Sequence, residues 1–407
     1  MADEPKKRGP RGDGSVRERS PGRWELRYAL AKDAAGKRRS VTVTVPARNK
    51  KEARAALRAR LAEVDKGAHV DPSRMTVGEF VEKWLADWVA SNVSPKTGER
   101  YGEILRHHVV PHLGATLLQK LSVLDLTGLY AKLLKEGRGE GLGLSGRTVL
   151  HVHRAIHRML RHAVQWRMVQ SNVASSTDAP KAQAAKIEIL DPAAVKAVLA
   201  ALRQRNAPTA ASLYALVSTA LGTGMRRGEL LALRWQDVDL DRAVLRVERS
   251  LEQTKAGGLR FKAPKTNYGR RSIALPGFVV SDLRAHWKVQ QEARLALGLG
   301  KAASADLVFP GPTFEPRSPN ALTKEWAAAS TAVGAGVTFH ALRHTHASNL
   351  IAAGLDVLTI SRRLGHGSPS ITLNIYGHKM KDSDDRAVRA LDAAFSSGTE
   401  REPSANG

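Results

Sequence analysis

At 407 residues the chain is too long for one ordinary core and reads as two or three domains. Lys and Arg number 64 against 39 Asp and Glu, a formal net charge of +25, so the expected partner is a polyanion and nucleic acid comes first. With no cysteine, disulfides and thiolate metal sites are excluded; with no apolar run near the ~18 residues of a spanning helix and no secretory signal in MADEPKKRGP, no membrane partner is expected and a cytoplasmic location is.

Residues 1–13 are charged and poor in large apolar side chains, which predicts a flexible basic arm. Between 14 and 67, Trp24, Leu26 and Tyr28 alternate with polar residues, and Val41, Val43 and Val45 do so again, predicting strands with Gly36 in the turn between them. The segment KKEARAALRARLAEVDKG has a helical pattern and stops at Gly67, a residue suited to a helix C-terminus. Residues 1–74 hold twenty Lys/Arg against ten Asp/Glu, so this small unit is itself a nucleic-acid candidate, with Lys37, Arg38 and Arg39 beside the turn as candidate contacts. A solvated basic surface explains the same composition.

From 75 to 175 the pattern is helical. Thr76 and Glu79 form a capping box ahead of Val77, Phe80, Val81, Trp84, Leu85 and Trp88 on one face. Ser94-Pro95 opens a helix expected to reach Pro111, and Ser122 and Asp125 mark the next start. The last helix carries a stripe of Val149, Val152, Ile156, Leu160 and Ala163, while Arg154, Arg158 and Arg161 on its other faces are candidate DNA contacts. His153 and His157, at i and i+4, have a metal-pair spacing; without a third ligand they are better read as facing solvent or phosphate.

Small, polar, aperiodic residues at 176–188 predict a linker. A mostly helical region follows over 189–395, beginning with a cap at Asp191-Pro192 and interrupted by AVLRVERS and LRFKAPKTNYGRRSIALP, which read as strands of a small sheet. DRAVRALDAAF suits a short amphipathic helix, and 396–407 a disordered tail.

Familiar sites fall away on inspection. GTGMRRG has the wrong glycine spacing for a dinucleotide fingerprint and no Lys-Ser/Thr of a P-loop. Asp237, Asp239, Asp241 and Glu248 imitate a calcium loop, but Arg242 stands where the sharp turn needs Gly, so an acidic turn is expected. His340, His344 and His346 lack the spacing of a zinc site. Neither a metal nor a cofactor is expected.

What remains is Arg226 and Glu229 in TGMRRGEL, Lys265 in a loop between strand-like runs, His340 and Arg343 in FHALRHTHAS, His366 in a Gly-flanked turn and Tyr376 ten residues later. Attack on a phosphodiester gathers charge on non-bridging oxygens, which paired guanidiniums are suited to hold. A phenol of ordinary pKa ~10 needs help to lose its proton, and a leaving alkoxide needs an acid such as Lys to supply one. A covalent phosphotyrosine would preserve the phosphodiester for rejoining without ATP.

Together TGMRRGEL, PKT, FHALRHTHAS and LGHGSPSITLNIYGH resemble the signature boxes of the tyrosine recombinase family, phage-type integrases, in matching order over roughly residues 190 to 380. The resemblance implies that Arg226 and Arg343 clamp the scissile phosphate and that Lys265 protonates the leaving oxygen. It gives His340 a part in proton transfer from the nucleophile, His366 a hydrogen bond to the phosphate, Tyr376 the nucleophile's role and Glu229 a supporting one. The implied fold is multidomain: a small β-plus-helix arm-binding domain at 14–67, an all-α core-binding bundle at 75–175 and a mainly α catalytic domain with a small antiparallel sheet at 189–395. The implied partners are double-stranded attachment sites, three further protomers in a homotetramer, and accessory directionality and DNA-bending proteins. The helix after Tyr376 would dock on a neighbour or on its own domain. A relaxing type IB-like topoisomerase and a catalytically idle DNA-binding regulator are the alternatives. The extra basic N-terminal unit argues against the first and the full residue set against the second.

Overall fold

The computed structural model describes residues 14–30, 40–65, 70–138, 141–183, 187–205, 211–264, 267–376 and 383–395. Lys265, Lys37, Arg38, Arg39, Gly36, Gly67 and the expected arm and tail at 1–13 and 396–407 lie outside them. The chain divides into two compact units, residues 1–184 and 185–407.

The first unit begins with an antiparallel meander of β1 (Ser15–Ser20), β2 (Arg23–Ala29) and β3 (Ser40–Pro46), with β2 in the middle. The alternation seen in the sequence sets the register: Trp24, Leu26 and Tyr28 pair with Val45, Val43 and Val41. Their side chains share one face, which is buried with Ala53 and Leu57 of helix α1 (Lys50–Asp65).

A helical bundle follows. Helix α2 (Val77–Trp84) starts at the Thr76/Glu79 capping box and buries Val77, Phe80, Val81 and Trp84. It runs on through a π-helical turn, Leu85–Val89, and a last turn, Ala90–Asn92. The helix expected to reach Pro111 is broken: α3 (Pro95–His108) ends first and a single turn, α4 (Val110–Leu113), carries the proline. Pro111 has no N–H to continue the ladder and its ring excludes the carbonyl one turn back, so the helix yields at Val109. Helices α5 (Val123–Glu136), with the expected Ser122/Asp125 box, and α6 (Gly146–Gln165) close the core. Burial of side chains such as Phe80, Leu126 and Ile156 contributes about 2 kcal/mol each to that core.

The reading of His153 and His157 as a solvent- or phosphate-facing pair is corrected for His153. His153 is buried, with Nδ1 3.0 Å from the Tyr130 hydroxyl, and His157 meets the Ser175 hydroxyl at Nε2. His162 is buried too, accepting the indole N–H of Trp84 at Nδ1 at 2.8 Å. Arg154 and Arg161 are exposed, whereas Arg158 lies over the Trp88 ring, 5.0 Å from its centroid.

The second unit opens with α7 (Pro192–Arg205) and α8 (Leu213–Thr223), the latter buried along nearly its whole length. A short helix, α9 (Arg227–Leu230), leads to strands β4 (Val238–Asp239), β5 (Val244–Val247), β6 (Ser250–Thr254), β7 (Gly258–Lys262) and β8 (Arg271–Ala274). The last strand-like run of the sequence is shared between two sheets: β8 joins β5 and β4, while β7 pairs only with β6 in a hairpin. Asp239 caps the acidic turn through the Asp241 and Arg242 N–H groups, and Asp237 pairs with Arg249. Then come α10 (Gly277–Ala296), α11 (Pro319–Ala332), α12 (Phe339–Ala352), α13 (Val357–Leu364), α14 (Pro369–Tyr376) and α15 (Ser383–Phe395). Leu216, Leu231, Ile273, Val279, Trp326 and Leu342 lie in the main core, and Ala347, Ile351, Ile360, Leu364 and Tyr376 form a smaller one. Among the described residues no helix is long and apolar enough to cross a membrane.

Candidate active site

Two helix ends build the floor of the site. Helices α8 and α13 each stop at a left-handed glycine, Gly224 (φ +65°) and Gly365 (φ +67°). A Cβ at Gly224 would come within 2.6 Å of the His346 ring, and one at Gly365 within 2.8 Å of the Arg271 guanidinium, so both positions require glycine on two counts. The carbonyls exposed at these ends hold the arginines. Arg343 donates to Gly224 O at 2.6 Å and to Leu364 O at 2.7 Å, and Arg226 donates to Gly365 O at 3.0 Å. Helix C-termini carry partial negative charge, which favours guanidinium there.

The two arginines differ in exposure: the Arg226 side chain is 41% exposed and Arg343 is 3% exposed. Burial and the neighbouring Arg226 push Arg343 down to about 9, which leaves it charged at neutral pH. Glu229 is the counter-ion, its carboxylate accepting the Arg226 guanidinium at 2.8 Å, the Arg226 backbone N–H at 3.0 Å and Arg271 at 2.9 Å. Burial opposes its charge, but Arg271, through charge and hydrogen bond, and then Arg226 hold the carboxyl below the usual carboxylate range.

The remaining groups converge on these arginines. His366 is buried, its Nδ1 2.8 Å from the Thr372 hydroxyl; burial and the charges of Arg343, Arg226 and Arg271 push it down to about 4. Tyr376 is 1% exposed, and burial pushes its phenol up to about 12, opposed by the charge of Arg343. His340 is surface-exposed, yet the atoms packed around its ring, then the charges of His344, Arg343 and Arg226, push it down to about 4. Thus Arg226, Glu229, His340, Arg343, His366 and Tyr376 share one site, while Lys265 falls outside the described residues. The nearby Lys262 is engaged by Glu252 across the β6–β7 hairpin.

Two participants were not assigned from the sequence. Tyr376 does not bond to His340; its hydroxyl lies 2.6 Å from Nδ1 of His344, one turn further along α12. The i, i+4 spacing of His340 and His344 was the available signal, and their rings meet edge to face at 4.8 Å. Arg271 is the second. Besides Glu229 it donates to Arg363 O at 2.7 Å and Gly269 O at 3.1 Å, tying the strand to the helix end before His366. The third histidine, His346, is structural: Arg363 donates to its Nε2 at 3.1 Å, so Nδ1 carries the hydrogen donated to Leu221 O at 2.7 Å.

Comparison with known proteins places this site in a lineage. Residues 188–383 match the model of the phage integrase family, and residues 76–134 match the phage integrase N-terminal SAM-like domain. The chain belongs to the phage integrase family of tyrosine recombinases. It is therefore a site-specific DNA recombinase, an enzyme that cuts and rejoins strands. A tyrosine recombinase XerC-like protein of Caldanaerobacter subterraneus subsp. tengcongensis is 28% identical over 372 residues, covering 86% of this chain and 90% of that one. The fold is shared with the integrase of transposon Tn1549 solved with transposon right-end DNA (TM-score 0.65, 21% identity, 78% of this chain and 99% of that one). It is shared also with the lambda integrase tetramer solved on a Holliday junction (TM-score 0.54, 16% identity, 90% of this chain and 96% of that one).

Proposed function

We propose that this recombinase integrates and excises a phage or integrative element by transesterification at double-stranded attachment sites, with Tyr376 as nucleophile. The observation that carries the reading is the pair Arg226 and Arg343, fastened to the carbonyls of residues 364 and 365 next to His366, with the Tyr376 phenol within reach of the Arg343 charge. A scissile phosphate between the two guanidiniums would have its developing charge held by preorganised donors, while Glu229 and Arg271 fix Arg226 in place. Imidazole at His366 would add a further hydrogen bond to a non-bridging oxygen, and His340, exposed at the surface, would meet incoming DNA.

In this scheme the Tyr376 oxygen bonds to phosphorus, giving a 3′-phosphotyrosine, and the 5′-oxygen departs with a proton from Lys265. That oxygen, or one from a partner duplex, reverses the step, so strand exchange passes through a Holliday junction and consumes no ATP. Engagement of Lys262 by Glu252 supports Lys265 as the acid. The lambda enzyme is a tetramer on its junction, and four protomers are proposed here; the exposed Val388, Leu391 and Phe395 of α15 support docking on a neighbour. The helical bundle would grip the core site through Arg154 and Arg161, with Arg158 held against Trp88, and residues 14–67 would grip a second set of sites.

The test is an incubation of wild type and Tyr376→Phe with nicked duplexes carrying the element's junction, resolved on a denaturing gel. A slow, DNA-linked band in wild type alone is expected. Attachment by Tyr376→Phe, or none by a wild type that binds the correct junction, overturns the reading.

A further inference from the structure

Strand cleavage needs an acceptor for the phenolic proton of Tyr376, and the site presents two imidazoles one helical turn apart. We propose that His344, rather than His340, takes that proton when the strand is cut. This rests on the reading of Tyr376 as nucleophile and adds the residue that activates it. Three observations carry it. His344 Nδ1 lies 2.6 Å from the Tyr376 oxygen, the short separation of a strong O–H···N contact, whereas among the described residues no hydrogen bond joins His340 to Tyr376. His344 is half-buried between His340 and the tyrosine, its ring edge to face with both, at 4.8 Å and 5.7 Å. His340 is exposed at the surface, and its ring meets His344 rather than Tyr376.

In the tautomer with its hydrogen on Nε2, His344 accepts the tyrosine hydroxyl at Nδ1. On cleavage the Tyr376 O–H bond breaks and the proton passes to Nδ1. The phenolate electron pair forms the O–P bond, and the P–O5′ bond breaks with its pair on the 5′-oxygen. That oxygen takes a proton from the general acid, assigned here to Lys265. On rejoining, His344 returns its proton to the tyrosine as the O–P bond opens.

The groups facing this pair disfavour the proton transfer in the absence of DNA. Burial, then Arg343, disfavours a charged His344, and burial keeps the phenol protonated, so proton transfer is uphill without substrate. A phosphate brought against Arg226 and Arg343 adds the negative charge that offsets the imidazolium. Deprotonation is thereby coupled to DNA being in place.

The experiment measures single-turnover attachment of the full chain to a nicked junction duplex. His344→Asn keeps a hydrogen-bond acceptor near the Nδ1 position but takes up no proton at neutral pH. It is expected to slow attachment about 10²- to 10⁴-fold with DNA affinity unchanged. A fluorinated tyrosine of lowered pKa at position 376 should restore most of the rate in His344→Asn and in His344→Ala, because a more acidic phenol depends less on a base; that recovery also shows the variants to be folded. A substrate with sulfur at the 5′-bridging position should leave His344→Asn slow while rescuing Lys265→Ala. Attachment by His344→Asn at the wild-type rate overturns the proposal. So does a defect that the fluorinated tyrosine leaves in place, or rescue by that residue of His340→Ala instead. The underlying reading fails separately, through attachment by Tyr376→Phe or its absence in wild type.

Discussion

Each unit of this chain buries a tyrosine against a histidine, and the ring geometry of the two pairs is similar. In the helical bundle the Tyr130 oxygen is 3.0 Å from His153 Nδ1, with rings 5.6 Å apart at 69°; in the second unit Tyr376 is 2.6 Å from His344 Nδ1, with rings 5.7 Å apart at 62°. Burial raises both phenols and lowers both imidazoles. What separates them is the surroundings. Burial alone acts on Tyr130, whereas Tyr376 also feels Arg343, itself held by two helix-end carbonyls. A buried histidine–tyrosine bond is a packing device by default, and on the proposed reading it is the fixed positive charge beside Tyr376 that turns one of the two pairs to chemistry.

The sharpest way to break this comparison is to remove one hydroxyl from each pair. Tyr376→Phe is expected to abolish covalent attachment while leaving DNA binding intact; Tyr130→Phe should attach DNA at close to the wild-type rate once folded. Equal losses, read on the same denaturing gel, would mean that the bundle pair serves catalysis too.

Next in size is the charge that distinguishes the pairs. Arg343→Lys keeps a cation but loses the planar fork that spans Gly224 O and Leu364 O, so single-turnover attachment should fall about 10²-fold. A rate within twofold of wild type would show that a point charge suffices. Arg271 acts one step further out. Its side chain is 7% exposed and pairs with a Glu229 that is 5% exposed, so Arg271→Ala leaves a buried carboxylate half-compensated by Arg226. A loss of about 3 kcal/mol in urea unfolding of the second unit is expected.

Much of this was legible in the sequence, for reasons that also mark the limits. Arg226, Arg343, His366 and Tyr376 could be picked out because each sits in a short motif whose neighbours are fixed by local geometry, such as the left-handed glycines at 224 and 365. The strand alternation of residues 24 to 28 and 41 to 45 and the caps at Thr76 and Ser122 were readable for the same reason. The contacts that escaped are tertiary. His344 reaches Tyr376 across 32 residues, and Arg271 reaches Glu229 across 42 and Arg363 across 92. The i, i+4 spacing of His340 and His344 marked a shared helix face, but nothing within either segment names the partner across the fold. His153 is a different case: it stands four residues after Val149 on the buried stripe of its helix, so its spacing already pointed inward, and the basic residues around it obscured that.

Acid should strain the second unit through a histidine outside the chemistry. Burial holds His346 at about 4 in the folded chain against an ordinary value near 6.5. Above pH 6.5 the group is neutral in both states and stability does not depend on it. As pH falls below 6.5 the unfolded chain takes up the proton first, so stability is lost progressively down to about pH 4, by about 3 kcal/mol in total. Urea titrations at pH 7.5 and 5 should show the loss, and His346→Asn, which can still donate to Leu221 O, should lessen it by this histidine's share, since His340 and His366 are held at about 4 as well; a pH dependence unchanged in that variant would place the acid sensitivity elsewhere.

The smallest expected effect is the most informative about the bundle. Tyr130→Phe removes a hydroxyl from a core in which His153 is 8% exposed, leaving its Nδ1 without that partner. The net value of a buried neutral hydrogen bond is about 1 kcal/mol, and that is the expected loss in urea unfolding of the first unit. Tyr130→Phe combined with His153→Leu replaces both polar groups and should recover most of it, since an apolar pair leaves nothing unsatisfied. The corresponding double change at Tyr376 and His344 can restore stability but never attachment. If the bundle double variant stays destabilised, His153 is held by more than its tyrosine, and the two pairs differ in packing as well as in charge.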